Sequence, residues 1–163
     1  MSSAPVTPFT PARRASGVHV ARQFDLQRAN AAYAQAVELS SDPRSTHLAR
    51  SFVSEALAVR PKQLKWYMLR GLLNRRLGEL QLALYDANAA VRLDPTNPAA
   101  FCGRGLCLRK LGRPRDALAD IDRAIELSQQ PKYRFYRALV LSDLQRWGEA
   151  AEDYLAASKG GAW

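Results

Sequence analysis

From about Phe24 onward, apolar residues return every three or four positions, and no two-residue alternation of apolar and polar persists. That period is helical and predicts an all-α chain. The pattern breaks at regular places: Asp42-Pro43, Arg60-Pro61, Leu77-Gly78, Asp94-Pro95, Leu111-Gly112 and Gln130-Pro131. Pieces between breaks are 12–18 residues long. Isolated helices of about that length are marginal in water, so these must stabilise one another by packing. Residues 1–21 read differently. Pro5, Pro8 and Pro11 recur every third residue among Ser, Thr and Ala, which disfavours helix and predicts an extended tail. Residues 160–163 are a short C-terminal tail.

The breaks belong to an internal repeat. Leu77-Gly78-Glu79-Leu80-Gln81-Leu82-Ala83 returns 34 residues on as Leu111-Gly112-Arg113-Pro114-Arg115-Asp116-Ala117. It returns again, 33 further on, as Leu144-Gln145-Arg146-Trp147-Gly148-Glu149-Ala150. Val59-Arg60-Pro61 reappears as Leu93-Asp94-Pro95. Ala56, Ala90, Ala124 and Ala157 fall in step, as do Gly71, Gly105 and Ala138. A mid-helix glycine costs about 1 kcal/mol against alanine, so its recurrence implies close approach of a neighbouring helix. Ala83, Ala117 and Ala150 would let the two helices of a hairpin touch. Gly78 and Gly112 suit the left-handed turn that ends a helix. Pro114 falls in a first turn, where its missing N–H costs little.

This pattern resembles the tetratricopeptide repeat family over residues 30–159. The match is strong from 64 onward and weaker before, where Val37 replaces the small mid-helix residue and Asp42-Pro43-Arg44 replaces the Leu-Gly turn. Gln129 and Gln145 are further departures, at a usual proline and a turn glycine. A repeat domain over 22–159 with four units is expected: 30–63, 64–97, 98–130 and 131–160. The resemblance implies antiparallel helix pairs in a right-handed α-solenoid, with the first helix of each pair lining a concave groove. The expected groove residues are Lys65, Met68, Leu72, Arg75 and Arg76 in the second unit, and Ala99, Cys102, Leu106, Arg109 and Lys110 in the third. Lys132, Phe135, Leu139 and Ser142 follow in the fourth, and Ala31, Ala34 and Glu38 in the first. An apolar floor with a basic edge suits a partner segment carrying hydrophobic and acidic side chains. Whether a partner or the protein's own N-terminal segment covers that floor stays open. The lysine-and-asparagine clamp of chaperone-tail adaptors is absent, since Met68, Leu72, Ala34 and Glu38 hold the comparable places.

Composition narrows the class. Of 163 residues, 24 are basic and 15 acidic, for a net charge of +9. Arg13, Arg14 and Arg22 lie ahead of the first acidic residue, and the remaining excess is spread along the chain. Such a surface favours acidic partners. Two cysteines, Cys102 and Cys107, are too few for a disulfide scaffold and point to a reducing compartment. His19 and His47 form no obvious metal site, and Asp116, Asp120 and Asp122, with Arg115 and Arg123 between them, read as a solvated charged face of one helix. No phosphate-cradling loop or nucleophile motif occurs, and no cofactor or enzymatic activity is expected. No apolar run is long enough to span a bilayer. Arg13-Arg14-Ala15-Ser16 has the form of a basophilic kinase site, where a phosphate on Ser16 would cancel much of the local positive charge.

At the C-terminus no residues remain for a polar capping helix, so Tyr154, Leu155 and Trp163 are expected to offer a docking face to another subunit. The reading is a non-catalytic adaptor or structural subunit of a larger intracellular assembly, in cytoplasm or cytoskeleton, for instance on the acidic microtubule lattice of a cilium. The alternative is an RNA-associated or assembly-factor subunit of a mitochondrial complex.

Overall fold

The computed structural model describes residues 12–161, with side chains from Arg22 onward. Among these residues the chain forms eight α-helices and no strand. They are α1 (Ala12–Leu39), α2 (Thr46–Val59), α3 (Leu64–Arg76), α4 (Leu80–Leu93), α5 (Pro98–Lys110), α6 (Pro114–Leu127), α7 (Pro131–Asp143) and α8 (Trp147–Lys159). A 3-10 turn, Pro43–Ser45, sits between α1 and α2. Consecutive helices pair as hairpins: α1 with α2, α3 with α4, α5 with α6, α7 with α8. The pairs stack, and α5 touches both α3 and α7. The odd-numbered helices therefore share one face of an α-solenoid.

Local chemistry sets the helix ends. Gly78 and Gly112 take φ of +80° and +74°, the left-handed conformation that ends α3 and α5. The N–H of Glu79 then donates back to the Asn74 carbonyl (2.9 Å), and that of Arg113 to the Leu108 carbonyl (3.0 Å). Gln145 adopts the same conformation at φ +60°, and Arg146 closes the turn onto Leu141 at 2.9 Å. The turn survives without glycine, at a conformational cost of roughly 1 kcal/mol. Pro98, Pro114 and Pro131 open α5, α6 and α7, where a missing N–H leaves no bond unmade. Asn97 caps α5, its Oδ1 accepting from the N–H groups of Ala99 (3.0 Å) and Ala100 (3.2 Å).

Small residues form the core seams. Ala49, Ala83, Ala117 and Ala150 are buried where each hairpin closes. Gly105 lies so close to α6 that a Cβ there would meet Ile121 Cγ1 at 2.8 Å and the Ala117 carbonyl at 3.0 Å.

Two expectations at the N-terminus need correction. The extended tail was placed over residues 1–21, yet α1 already begins at Ala12. No proline stands between Pro11 and Pro43, so nothing interrupts the helix once it starts. Residues 1–11 lie outside the described residues. The second concerns Val37, expected at the small mid-helix position. Val37 is exposed, and fully buried Ala36 packs with Ala49 and Val53 instead. The turn after α1 is longer than the Leu-Gly turn and contains the 3-10 segment, which shifts the register by one residue. Asp42 holds that turn, accepting the Arg44 N–H (3.0 Å) and the Ser45 hydroxyl (2.8 Å). The backbone bond first, then the hydroxyl, keeps its carboxyl below the usual range.

Candidate partner-binding surfaces

On the odd-helix face, Met68, Leu72 and Arg75 of α3 are half-buried and Lys65 is exposed. Met68, Leu72 and Arg75 meet Ala99, Gly103 and Cys107 of α5 around a cavity of about 70 Å³, backed by Ala83, Ala87 and Ala90. Phe135 and Leu139 of α7 are half-buried further along. Phe135 packs edge-on against Tyr136 and Tyr154, at 5.6 and 5.8 Å between centroids. Lys132 stands over the Tyr133 ring at 5.1 Å.

Not every residue expected in this groove is free. Cys102 and Leu106 are buried in one cluster with Ile121, Tyr133 and Val140. They are core at the seam between third and fourth units, because α7 packs onto α5 there. Burial pushes the Cys102 thiol up to about 12 and raises that of Cys107 too, so both stay protonated and unreactive. Arg109 is tied to Asp143, with Nη2 donating to Oδ1 at 3.1 Å. Arg76 donates to the Ser40 carbonyl and so braces α3 against the turn after α1. Lys65, Arg75, Lys110 and Lys132 are in no ion pair among the described residues. In the first unit Ala31, Ala34 and Glu38 are exposed. Tyr33 instead faces the second unit, stacked on Trp66 at 5.3 Å.

Near the C-terminus Tyr154 is half-buried against Phe135 and Leu155 is 57% exposed. Trp147, which sequence reasoning did not single out, is 64% exposed. Trp163 lies outside the described residues, and so do the side chains of Arg13, Arg14 and Ser16, whose backbone begins α1.

The opposite face holds a feature that sequence reasoning missed. Three arginines each reach across their own hairpin to an aspartate sixteen residues later. Arg70 Nη2 donates to Asp86 Oδ1 at 2.6 Å, Arg104 Nη2 to Asp120 Oδ1 at 2.6 Å, and Arg137 Nη2 to Asp153 Oδ1 at 2.8 Å. Each pair is bidentate through Nε, and the three aspartates are buried. The Asp120 carboxylate holds the Arg104 guanidinium above its ordinary range. Asp120 was expected with Asp116 and Asp122 on a solvated charged face. Instead it is buried in this clasp, and Asp122 accepts from Arg137 Nη1 at 3.0 Å. The signal was present: Arg70, Arg104 and Arg137, like Asp86, Asp120 and Asp153, recur at the repeat offset of 34 and 33 residues. Each clasp lies in a surface cleft between consecutive hairpins.

Among the described residues no three His, Cys, Asp or Glu side chains are grouped to hold a metal ion, and no helix is long and apolar enough to cross a membrane. No curated protein matches the chain by sequence. Solved structures do match in shape. MamA from Desulfovibrio magneticus RS-1 is 17% identical, with a TM-score of 0.73 over 82% of this chain and 76% of its own. YrrB, described as a tetratricopeptide protein with an unusual peptide-binding site, is 25% identical, with a TM-score of 0.64 over 79% of this chain and 66% of its own. The first such domain of Spaghetti (RPAP3), bound to the HSP90 peptide SRMEEVD, is 20% identical, with a TM-score of 0.64 over 78% of this chain and 95% of its own. The tetratricopeptide repeat model matches residues 44–98 and 102–162. With most of its length matched and its hairpins stacked in register, the chain belongs to the tetratricopeptide repeat family.

Proposed function

We propose that this protein is a non-catalytic adaptor that holds a segment of a partner protein on the face made by α3, α5 and α7. The observation that carries this reading is an apolar floor beside cations with no acid of their own. Met68, Leu72, Phe135 and Leu139 supply the floor, and Lys65, Arg75, Lys110 and Lys132 the unpaired charge. A leucine or phenylalanine of the partner, buried on that floor, contributes about 1.5–3 kcal/mol. Acidic residues beside it would be drawn in by the cations, which favours fast encounter and fixed orientation more than raw affinity. Peptide binding by YrrB and by Spaghetti, proteins of the same architecture, supports the reading. Membership of a larger assembly is part of the proposal, since Trp147 and Leu155 leave further apolar surface exposed on α8.

The test is a native pull-down with the full-length protein, washed at low and high salt, beside the Leu72→Asp and Lys65→Glu/Lys132→Glu variants. Leu72→Asp should lose partners that survive high salt, and the charge-reversed variant those held at low salt only. Retention of the same partners by both variants would place the interaction elsewhere. Recovery of RNA in place of protein, lost on raising salt, would overturn the protein-binding reading.

A further inference from the structure

The three clefts opposite the odd-helix face share the Arg–Asp clasp but differ in what surrounds it. In the second and third clefts the remaining arginine nitrogen is satisfied. Arg104 Nη1 points to Asn88 Oδ1 at 3.5 Å, and Arg137 Nη1 donates to Asp122 Oδ1 at 3.0 Å. The repeat places Ser54 at that position in the first cleft, and its hydroxyl donates instead to the Arg50 carbonyl at 2.9 Å. Arg70 binds Asp86 through Nε and Nη2, which leaves Nη1 without an acceptor among the described residues. Arg50 opens on the same cleft and is in no ion pair among the described residues. The second and third clefts carry Leu84 and Leu118 at its position.

A second departure lies on the cleft floor. Asn74 stands where the later units carry Leu108 and Leu141. It is 3% exposed, and its Nδ2 donates to Asp86 Oδ2 at 2.9 Å, which fixes the amide's orientation. Its Oδ1 is buried and has no partner among the described residues. A buried acceptor left without a donor destabilises the fold until something supplies one. The first cleft thus lacks an acceptor for two guanidinium groups and a donor for one carbonyl. Leu82 and Tyr85 form an apolar ledge at its rim, 51% and 61% exposed.

We propose that this cleft between α2 and α4 is a second binding site, which takes an acidic peptide segment. An Asp or Glu carboxylate is held by Arg50 and the free Nη1 of Arg70, a neighbouring backbone N–H turns toward Asn74 Oδ1, and an adjacent apolar side chain rests on Leu82 and Tyr85. The site lies on the face opposite the α3–α5–α7 surface and does not depend on it.

The test titrates 15N-labelled full-length protein with acetyl-Gly-Asp-Leu-Gly-amide. The Asn74 side-chain amide and the Nε–H groups of Arg50 and Arg70 report on the cleft. These resonances should shift and saturate. The isosteric acetyl-Gly-Asn-Leu-Gly-amide should bind about tenfold more weakly, the loss expected for one charge-assisted hydrogen bond. Arg50→Leu and Asn74→Leu install the residues that the later clefts already carry and should each weaken the Asp peptide by about tenfold. If Asn74→Leu fails to fold, Arg50→Leu at its half-exposed position carries the test. Lys65→Glu on the other face should leave this binding unchanged. Shifts absent from Arg50, Arg70 and Asn74, or confined to Met68, Leu72, Phe135 and Leu139 of the other face, would overturn the proposal, as would equal binding of the neutral peptide. N-acetylaspartate alone binding as tightly would mark a small-anion site and overturn the peptide assignment.

Discussion

Gly103 and Gly105 sit two residues apart on α5 and make opposite demands. A Cβ at Gly103 meets nothing within 4 Å, whereas at Gly105 it strikes Ile121 and the Ala117 backbone. Gly103→Ala should therefore gain most of the helix-propensity difference, about 1 kcal/mol, and raise the melting temperature. Gly105→Ala forfeits that gain by forcing α5 and α6 apart and should lower it. Thermal unfolding of the two variants checks the contrast; a higher Tm for Gly105→Ala would contradict the packing described. Gly105 was legible in the sequence because it recurs in register with Gly71 and Ala138. Asp120 was not read correctly. Its neighbours in sequence are charged, so it passed for a solvated residue, while its partner Arg104 lies sixteen positions away on the facing helix. Periodicity within one helix does not display a bond between two. Only comparing the arginines and the aspartates across repeats would have exposed it.

At the scale of the helix pair, apolar seams built from alanine bury little area per residue, and the Arg–Asp clasps add a polar bond across each of the last three hairpins. Asp120→Ala removes one partner and leaves a largely buried guanidinium without its carboxylate. A loss of about 3 kcal/mol is expected by denaturant unfolding. Arg113→Ala, which removes an exposed pair with Asp116, should stay within about 1 kcal/mol of the parent. Equal effects would mean that burial of the clasp is unimportant. Hairpin turns were the most legible elements, since Gly78, Gly112 and the helix-opening prolines act through their own backbone. The first hairpin was the least. Its register depends on a longer turn held by Asp42, and its first helix runs 28 residues against 13 or 14 in the others, from a start that the proline spacing of residues 1–11 concealed.

For the whole molecule, four acidic protons on buried or half-buried side chains give stability a defined dependence on pH. Burial raises the thiols of Cys102 and Cys107 and the phenols of Tyr33 and Tyr133. In the unfolded chain a cysteine ionises near its ordinary value of 9.0, while folded Cys102 holds its proton to about 12. The stability that comes from keeping these groups neutral is thus fully present below pH 9 and is lost as pH rises toward 12. Denaturant midpoints should be level from about pH 7 to 9, then fall. The slope reaches about 1.4 kcal/mol per pH unit for each group still protonated. Cys102→Ala should flatten it, and a midpoint unchanged at about pH 10.5 would refute the assignment. The clasps have a further consequence along the solenoid. Side-chain bonds join the second unit to the third through Arg104 and Asn88, and the third to the fourth through Arg109 with Asp143 and Arg137 with Asp122. Among the described residues the ion pairs between units join the third to the fourth; the second meets the third through the long Arg104–Asn88 bond, while the first meets the second through a shared cluster of Val53, Leu57, Trp66 and Leu73, the Tyr33–Trp66 stack, Arg60 over the Trp66 ring and the Arg76–Ser40 bond. In a stack where each unit leans only on its neighbours, rupture begins at the weakest junction. Pulled from its two ends, the molecule should give way first between α4 and α5, parting into two blocks of four helices, with the ion-paired third and fourth units separating last.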